Sequence, residues 1–266
     1  MIRDITLGQY YPTDSVLHRL DPRVKLCGTL IYVISLFLFQ TFTGYIVATV
    51  FLVSMIALSH VPVKFIFRGL KAILFILVFT AVLNTFLTPG RELVSFWKIT
   101  ITIEGVRLAA FMILRLVYLI IGSSLMTLTT TPSNLTDGLE KSLGWLKVFR
   151  VPVHEIAMMM SIALTFIPVL LEETDRIIKA QQARGADFES GNIIRRVKSL
   201  VPILVPLFIS AFRRANDLAI AMESRCYHGG DGRTKMRPLA YGFRDIMAYV
   251  VLVLYLAVVI VVGIMF

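Results

Sequence analysis

Between Leu26 and Val61 the sequence carries no Asp, Glu, Lys or Arg. At about 1.5 Å of rise per residue, that run is too long for one helix across a hydrocarbon core of about 30 Å. Gln40-Thr41-Phe42-Thr43-Gly44 breaks it with polar and glycine positions, so the pattern predicts two spans joined by a turn. A third span is predicted from Ala72 to Leu87, ending at Thr88-Pro89-Gly90, and a fourth from Leu108 to Leu128. Arg115 lies inside the fourth, and an arginine at that depth must face protein or water rather than lipid. Ile246 to Phe266 is again free of charge and supplies the fifth span, for which about 20 residues suffice.

The middle of the chain reads differently. Ile156–Leu171 and Leu200–Phe212 are apolar but short, and they carry Pro168, Pro202 and Pro206. Apolar runs of this length more often lie in the interface or against protein than across a bilayer. Each leads into a polar, helix-prone segment, EETDRIIKAQQARGADF and RRANDLAIAMESRCYHG. In the first, Glu172 precedes Arg176 and Asp175 precedes Lys179 by four positions, the favourable order for helical ion pairs.

Composition supports lipid as the solvent. Of 266 residues, 57% are hydrophobic, against about 45–50% in soluble domains. The net charge of +10 is placed by topology. Arg3, Arg19, Arg23 and Lys25 fill the leader, Lys64, Arg68 and Lys71 the second link, and Lys141 to Arg244 is dense in cations. The positive-inside rule therefore predicts a cytoplasmic N-terminus, a cytoplasmic middle region and, after five spans, an extracytoplasmic C-terminus. No separate basic domain exists to engage nucleic acid. The leader, with Pro12, Asp14, Asp21 and Pro22 before the first apolar run, does not read as a cleavable signal. Cys27 and Cys226 fall in different environments and predict no disulfide.

The expected fold is thus an all-α polytopic membrane protein with five transmembrane helices and a cytoplasmic helical region. Residues 1–130 hold the leader and four spans, 131–245 the polar insert, and 246–266 the last span. No catalytic constellation is present. The glycines and cations of HGGDGRTK (His228–Lys235) lack the spacing of a phosphate loop, and no strand precedes them. His18, His60, His154 and His228 form no i,i+4 pair for a metal. Glu172, Glu173 and Asp175 stand beside Arg176 and Lys179 and read as salt-bridge partners, while Ser123 and Ser124 read as helix-packing residues. No resident metal or cofactor is expected. A free-standing permease would need polar groups in several spans, and only Arg115, Asn84 and a few hydroxyls qualify.

What stands out is a repeat. Both polar segments end at an arginine between small residues: Arg184 between Ala183 and Gly185, and Arg225 between Ser224 and Cys226. One such ending is most simply a capped helix terminus, with Gly185 as the left-handed cap residue. Two imply two receiving grooves on a dimeric or pseudo-dimeric partner, where a planar guanidinium suits a bidentate carboxylate.

Taken over its whole length, the sequence resembles the transmembrane T component of energy-coupling factor (ECF) transporters. YYPTDSVLHRLDPRVKL (Tyr10–Leu26) is similar to that family's N-terminal signature; FIPVLLEETDRIIKAQQARG (Phe166–Gly185) and RRANDLAIAMESRCY (Arg213–Tyr227) are similar to its two arginine motifs. The family usually has alanine before the second arginine and often glycine after it, where this chain has Ser224 and Cys226. The resemblance implies a subunit joining two cytoplasmic ATP-hydrolysing subunits to an S component, a small membrane protein that binds a vitamin or metal ion. It implies that Arg184 and Arg225 are the coupling cations and that ATP and magnesium bind in the partners. It also assigns the apolar halves, with Met158, Met159, Met160, Pro168, Pro202 and Pro206, to the S-component interface, shared by one or several interchangeable S components. Alternatives are a T component dedicated to cobalt, nickel or biotin and, more remotely, a permease or membrane enzyme.

Overall fold

The computed structural model describes residues 10–39, 41–96, 99–186, 188, 193–230, 236 and 238–265. These divide into two compact units, Gly8–Ser142 with Leu239–Phe266, and Leu143–Pro238.

The first unit is a helix bundle. Asp21 starts α1 (Pro22–Leu38): its carboxylate accepts the Arg23 amide at 2.9 Å, and Pro22 takes the first helical position, where no amide is needed. A polar turn at Thr41 separates α1 from α2 (Phe42–Ser59), as the break in the apolar run predicts. Next come α3 (Val63–Leu87), α4 (Ile103–Thr129), α5 (Pro132–Ser142) and, after the second unit, α8 (Phe243–Met265). The link between α3 and α4 folds into an antiparallel hairpin, β1 (Glu92–Phe96) and β2 (Ile99–Thr102), with Ser95 opposite Thr100. The apolar pattern had marked only a link there. Thr102 then caps α4 by accepting the Gly105 amide at 3.1 Å.

By length and composition, α2, α4, α8 and the second unit's α6 (Val153–Ala183) can each cross a membrane, and α3 does so as a pair of segments bent by 58°. The protein is therefore a multi-pass, essentially all-helical membrane protein. α1 has 17 residues, at the lower end of what spans. The expectation that Ile156–Leu171 is a separate short run is corrected: it continues into its polar segment as one helix of 31 residues through Pro168. A proline removes only the bonds of its own turn, and the Leu-, Glu- and Ala-rich flanks re-form the helix on either side.

Lipid offers helices no hydrophobic incentive to associate, so packing and hydrogen bonds must hold the bundle. Tyr32, Leu36, Tyr45, Leu52, Ile121, Leu125 and Tyr255 form its centre. Gly122 lies under the Tyr32 ring, where any Cβ would strike the aromatic carbons. Ser35 shares a 2.7 Å hydrogen bond with the Tyr255 hydroxyl, and Thr49 one of 2.5 Å with Tyr118. Arg115 faces protein as expected. Its Nε donates to the Tyr45 hydroxyl at 3.3 Å and its Nη2 to the Phe39 carbonyl at 3.4 Å, closing the C-terminal end of α1.

At the other end of the bundle, the leader is clamped in place. The Asp21 amide donates to Asp245 Oδ1 at 2.8 Å, and Arg23 pairs with Asp21 at 2.8 Å while stacking 3.8 Å over the Tyr241 ring. The Tyr11 amide donates to the Leu128 carbonyl at 2.9 Å, and Lys25 Nζ to the Thr129 carbonyl at 2.8 Å. Leader, α1, α4 and α8 are thus tied at one level. α5 packs with this unit too, Gly138 lying against Pro22.

Candidate functional site: two arginine-tipped helix ends

The second unit contains a 3₁₀ turn (Gly144–Phe149) and two long helices, α6 and α7 (Ile193–Ser224), the latter running through Pro202 and Pro206. Three contacts fix their register. Gln181 Nε2 donates to the Pro202 carbonyl at 3.3 Å, Arg214 pairs with Glu173 at 3.4 Å, and Gly230 rests against the His154 ring. As residue numbers fall on α6 they rise on α7, so the helices are antiparallel. A groove of about 260 Å³ between them is lined by Ile162, Phe166 and Leu170 from α6 and Ala211, Ala215, Leu218 and Met222 from α7.

This register sends the two arginines to opposite ends of the pair. Arg184 ends α6 beside Pro202, whereas Arg225 ends α7 level with Ile162, a separation of about 35 Å at 1.5 Å per residue. Each polar tip therefore lies alongside the apolar half of the neighbouring helix. Met158–Met160 fall near the Arg225 end and Pro202 near the Arg184 end, so the structure does not gather these candidates into one patch.

The two tips have the same backbone. At the first, the Gly185 amide donates to the Gln182 carbonyl at 2.9 Å and the Ala186 amide to Gln181 at 3.0 Å, with Gly185 at φ +87°. At the second, the Cys226 amide donates to Glu223 at 2.9 Å and the Tyr227 amide to Met222 at 3.1 Å, with Cys226 at φ +56°. Both are Schellman caps, with the arginine as the last half-helical residue and its follower in the left-handed region. The capping reading of Gly185 is correct, and the same geometry holds at Cys226. Gly185 is set by its backbone rather than by crowding, since a Cβ there would meet nothing within 4 Å.

Cysteine gains nothing in that conformation. For an L-residue with a Cβ the left-handed region costs roughly 1–2 kcal/mol. Cys226→Gly should accordingly stabilise the end of α7 by about 1 kcal/mol, read as slower hydrogen exchange at the Tyr227 amide. Unchanged exchange would show that the cap is not strained.

Ala183, Arg184, Gly185, Ser224, Arg225 and Cys226 are all exposed, and neither arginine forms an ion pair with any described residue. The neighbouring charges are used otherwise. Arg176 lies 3.9 Å from Glu172 in an exposed pair, of a kind that contributes little. Glu173 instead reaches across to Arg214 and links the helices. Among the described residues no ion pair joins Asp175 to Lys179.

Within the apolar run Leu200–Phe212, which the resemblance assigns to an interface, the structure resolves one exposed face whose residues the sequence reading did not single out. Val201, Leu204, Val205, Phe208, Ile209 and Phe212 are each at least half exposed and follow one another at helical spacing, while Ile203 on the opposite side is buried. A continuous apolar stripe of this kind marks a surface meant for a partner or lipid. Met159 and Met160, at the Arg225 end, are exposed at 57% and 42%; Met158 and Pro206 are half-buried, and Pro168 and Pro202 exposed. The i, i+3, i+4, i+7 spacing of the stripe residues is visible in the sequence.

Comparison with known proteins places this geometry in context. The family model described as CbiQ, cobalt transport protein, matches residues 13–236. The energy-coupling factor transporter transmembrane protein EcfT of Clostridium kluyveri is 57% identical, covering 93% of each chain. Its counterpart in Ruminiclostridium cellulolyticum is 55% identical over 93% of this chain and 92% of the relative. That of Lactococcus lactis subsp. cremoris is 43% identical over 95% and 96%.

Proposed function

The chain belongs to the CbiQ family of transmembrane T components of energy-coupling factor transporters, and on that premise we propose that it transmits ATP-driven movement from two ATPase subunits to one S component. The observation that carries this reading is the matched pair of arginine-tipped Schellman ends, about 35 Å apart at opposite ends of an antiparallel helix pair. Two plugs with one backbone motif and opposite directions suit two equivalent grooves on a two-fold partner. Each guanidinium enters a groove and meets a carboxylate in the bidentate geometry that arginine favours. Ala183, Gly185, Ser224 and Cys226 are small enough for the groove backbone to approach.

The leader and the α6–α7 unit face the cytoplasm, and α8 ends on the far side. This orientation follows from the cations of the leader and of residues 141–244. α6 lies along the membrane surface rather than across it, because its second half, from Glu172 to Gln182, is strongly polar. The apolar stripe of α7 receives the S component, with Met159 and Met160 as a separate contact at the Arg225 end, where methionine suits a surface that accepts several.

ATP binding closes the ATPase pair and moves its two grooves together. The arginine tips follow, and because each tip lies beside the apolar half of the other helix, their movement shifts the surface on which the S component rests. The cost of that shift is met by the difference in free energy between two arrangements of the ATPase pair. The subunit performs no chemistry itself; ATP and magnesium bind in the ATPases. In liposomes, uptake should require this chain, both ATPases, an S component and ATP together. Uptake or ATP hydrolysis by the chain alone would refute the reading.

A further inference from the structure

A cavity of about 370 Å³ lies where leader, α1, α2, α4 and α8 meet, and the coupling role does not use it. Its wall is almost wholly apolar: Leu20, Tyr32, Phe51, Met55, Met126 and Val251 are typical. Every lining element contributes its residues from one end: the starts of α1 and α8 and the last turns of α2 and α4. The cavity is therefore confined to a single depth. From Lys25 to Tyr32, or Arg244 to Leu252, it extends about 11 Å at 1.5 Å per residue, within one leaflet of about 15 Å, half of the hydrocarbon core.

The lining includes two cations, Lys25 and Arg244, and no carboxylate. The nearby carboxylates are already engaged, Asp21 by Arg23 and Asp245 by the Asp21 and Gly242 amides at 2.8 Å each. Arg244 is exposed and forms no ion pair with a described residue. Lys25 is buried, and two of its three ammonium donors go to the Thr129 and His18 carbonyls at 2.8 and 3.3 Å. The third has no hydrogen-bond partner among the described residues.

We propose that this cavity binds one phospholipid of the leaflet on the leader's side, an acyl chain filling the apolar slot and the phosphate meeting Arg244 and Lys25. Charge decides the occupant: two cations and no carboxylate at an otherwise apolar slot suit an anionic headgroup above the first part of an acyl chain. The bound lipid would act as a wedge among leader, α1 and α8 and would hold the bundle in one arrangement. This inference goes beyond the coupling role and does not depend on it.

The test uses the full chain assembled with its partner subunits, delipidated in detergent and then given equal amounts of phosphatidylglycerol and phosphatidylethanolamine. Native mass spectrometry should find one phospholipid retained per chain, with the anionic one favoured several-fold. Ala248→Phe, which fills the slot, should reduce retention at least tenfold, and Val251→Phe serves in its place if that variant does not fold. Arg244→Gln should retain lipid but lose the headgroup preference. Undiminished retention in both folded slot variants, or loss of the S component with lipid unchanged, would overturn the proposal. So would a headgroup preference that Arg244→Gln leaves intact.

Discussion

Replacing Arg184 and Arg225 together by alanine should release both ATPase subunits from the membrane and abolish transport. Each substitution withdraws one partner from a desolvated charge pair, a loss of about 3–5 kcal/mol. At about 1.4 kcal/mol per tenfold, that weakens each docking contact by roughly two to three and a half orders of magnitude. Either replacement alone should leave a complex held at one end, which still co-purifies in part but no longer couples. The caps themselves should survive, because the Schellman bonds are made by the backbone of Gln181, Gln182 and Ala186 and of Met222, Glu223 and Tyr227. Helical content should therefore stay at the wild-type level, which separates lost docking from lost fold. Lysine at both positions should restore only part of the function, since it keeps the charge without the planar fork. A double alanine variant that co-purified stoichiometrically with both ATPases and transported normally would refute the arginine assignment.

The second large effect concerns the leader clamp. Asp21→Ala should lower the stability of the bundle by about 3–5 kcal/mol, since it strips a nearly buried guanidinium of its counter-ion. The Asp21 side chain is 3% exposed and that of Arg23 16%, so water cannot substitute. The same change removes the cap of α1, while the backbone amide of residue 21 keeps its bond to Asp245. It also alters the acid response. Burial alone would raise the Asp21 pKa, but the Arg23 side chain and amide hold it below the usual aspartate value. A depressed carboxylate contributes stability that is complete above its unfolded pKa of about 3.9, and that contribution is lost as pH falls through the lower folded value. Thermal melts of the purified protein between neutral and acidic pH should show this loss in the wild type and lack it in Asp21→Ala. A variant with the wild-type melting temperature would mean that the clamp contributes nothing.

Spans were legible because lipid imposes a simple rule: long apolar runs with no charge. α2, α4 and α8 follow from it directly, and the placement of Arg115 followed from the cost of a charge in hydrocarbon. The arginine tips were legible because they occur twice, and the structure adds that both share one backbone motif. The antiparallel register of α6 and α7 was not legible, because the residues that set it, Gln181, Glu173 and Arg214, look like ordinary polar positions on a helix face. Proline misled in one respect. It signals a possible break, but whether the helix continues depends on its flanks, and α6 and α7 continue. The clamp at Asp21 lay within the motif noted in the leader, yet its partner Asp245 stands 224 positions away, beyond any local pattern.

The central claim is that each arginine tip occupies its own ATPase subunit, and cross-linking tests it most directly. A photo-reactive residue placed at Ala183 or at Ser224, both exposed and next to the arginines, would be activated in the assembled transporter. The account predicts that each position captures an ATPase subunit, that the two together capture two ATPase subunits per chain, and that neither captures the S component. Cross-links from both positions to a single ATPase subunit, or from either to the S component alone, would contradict it.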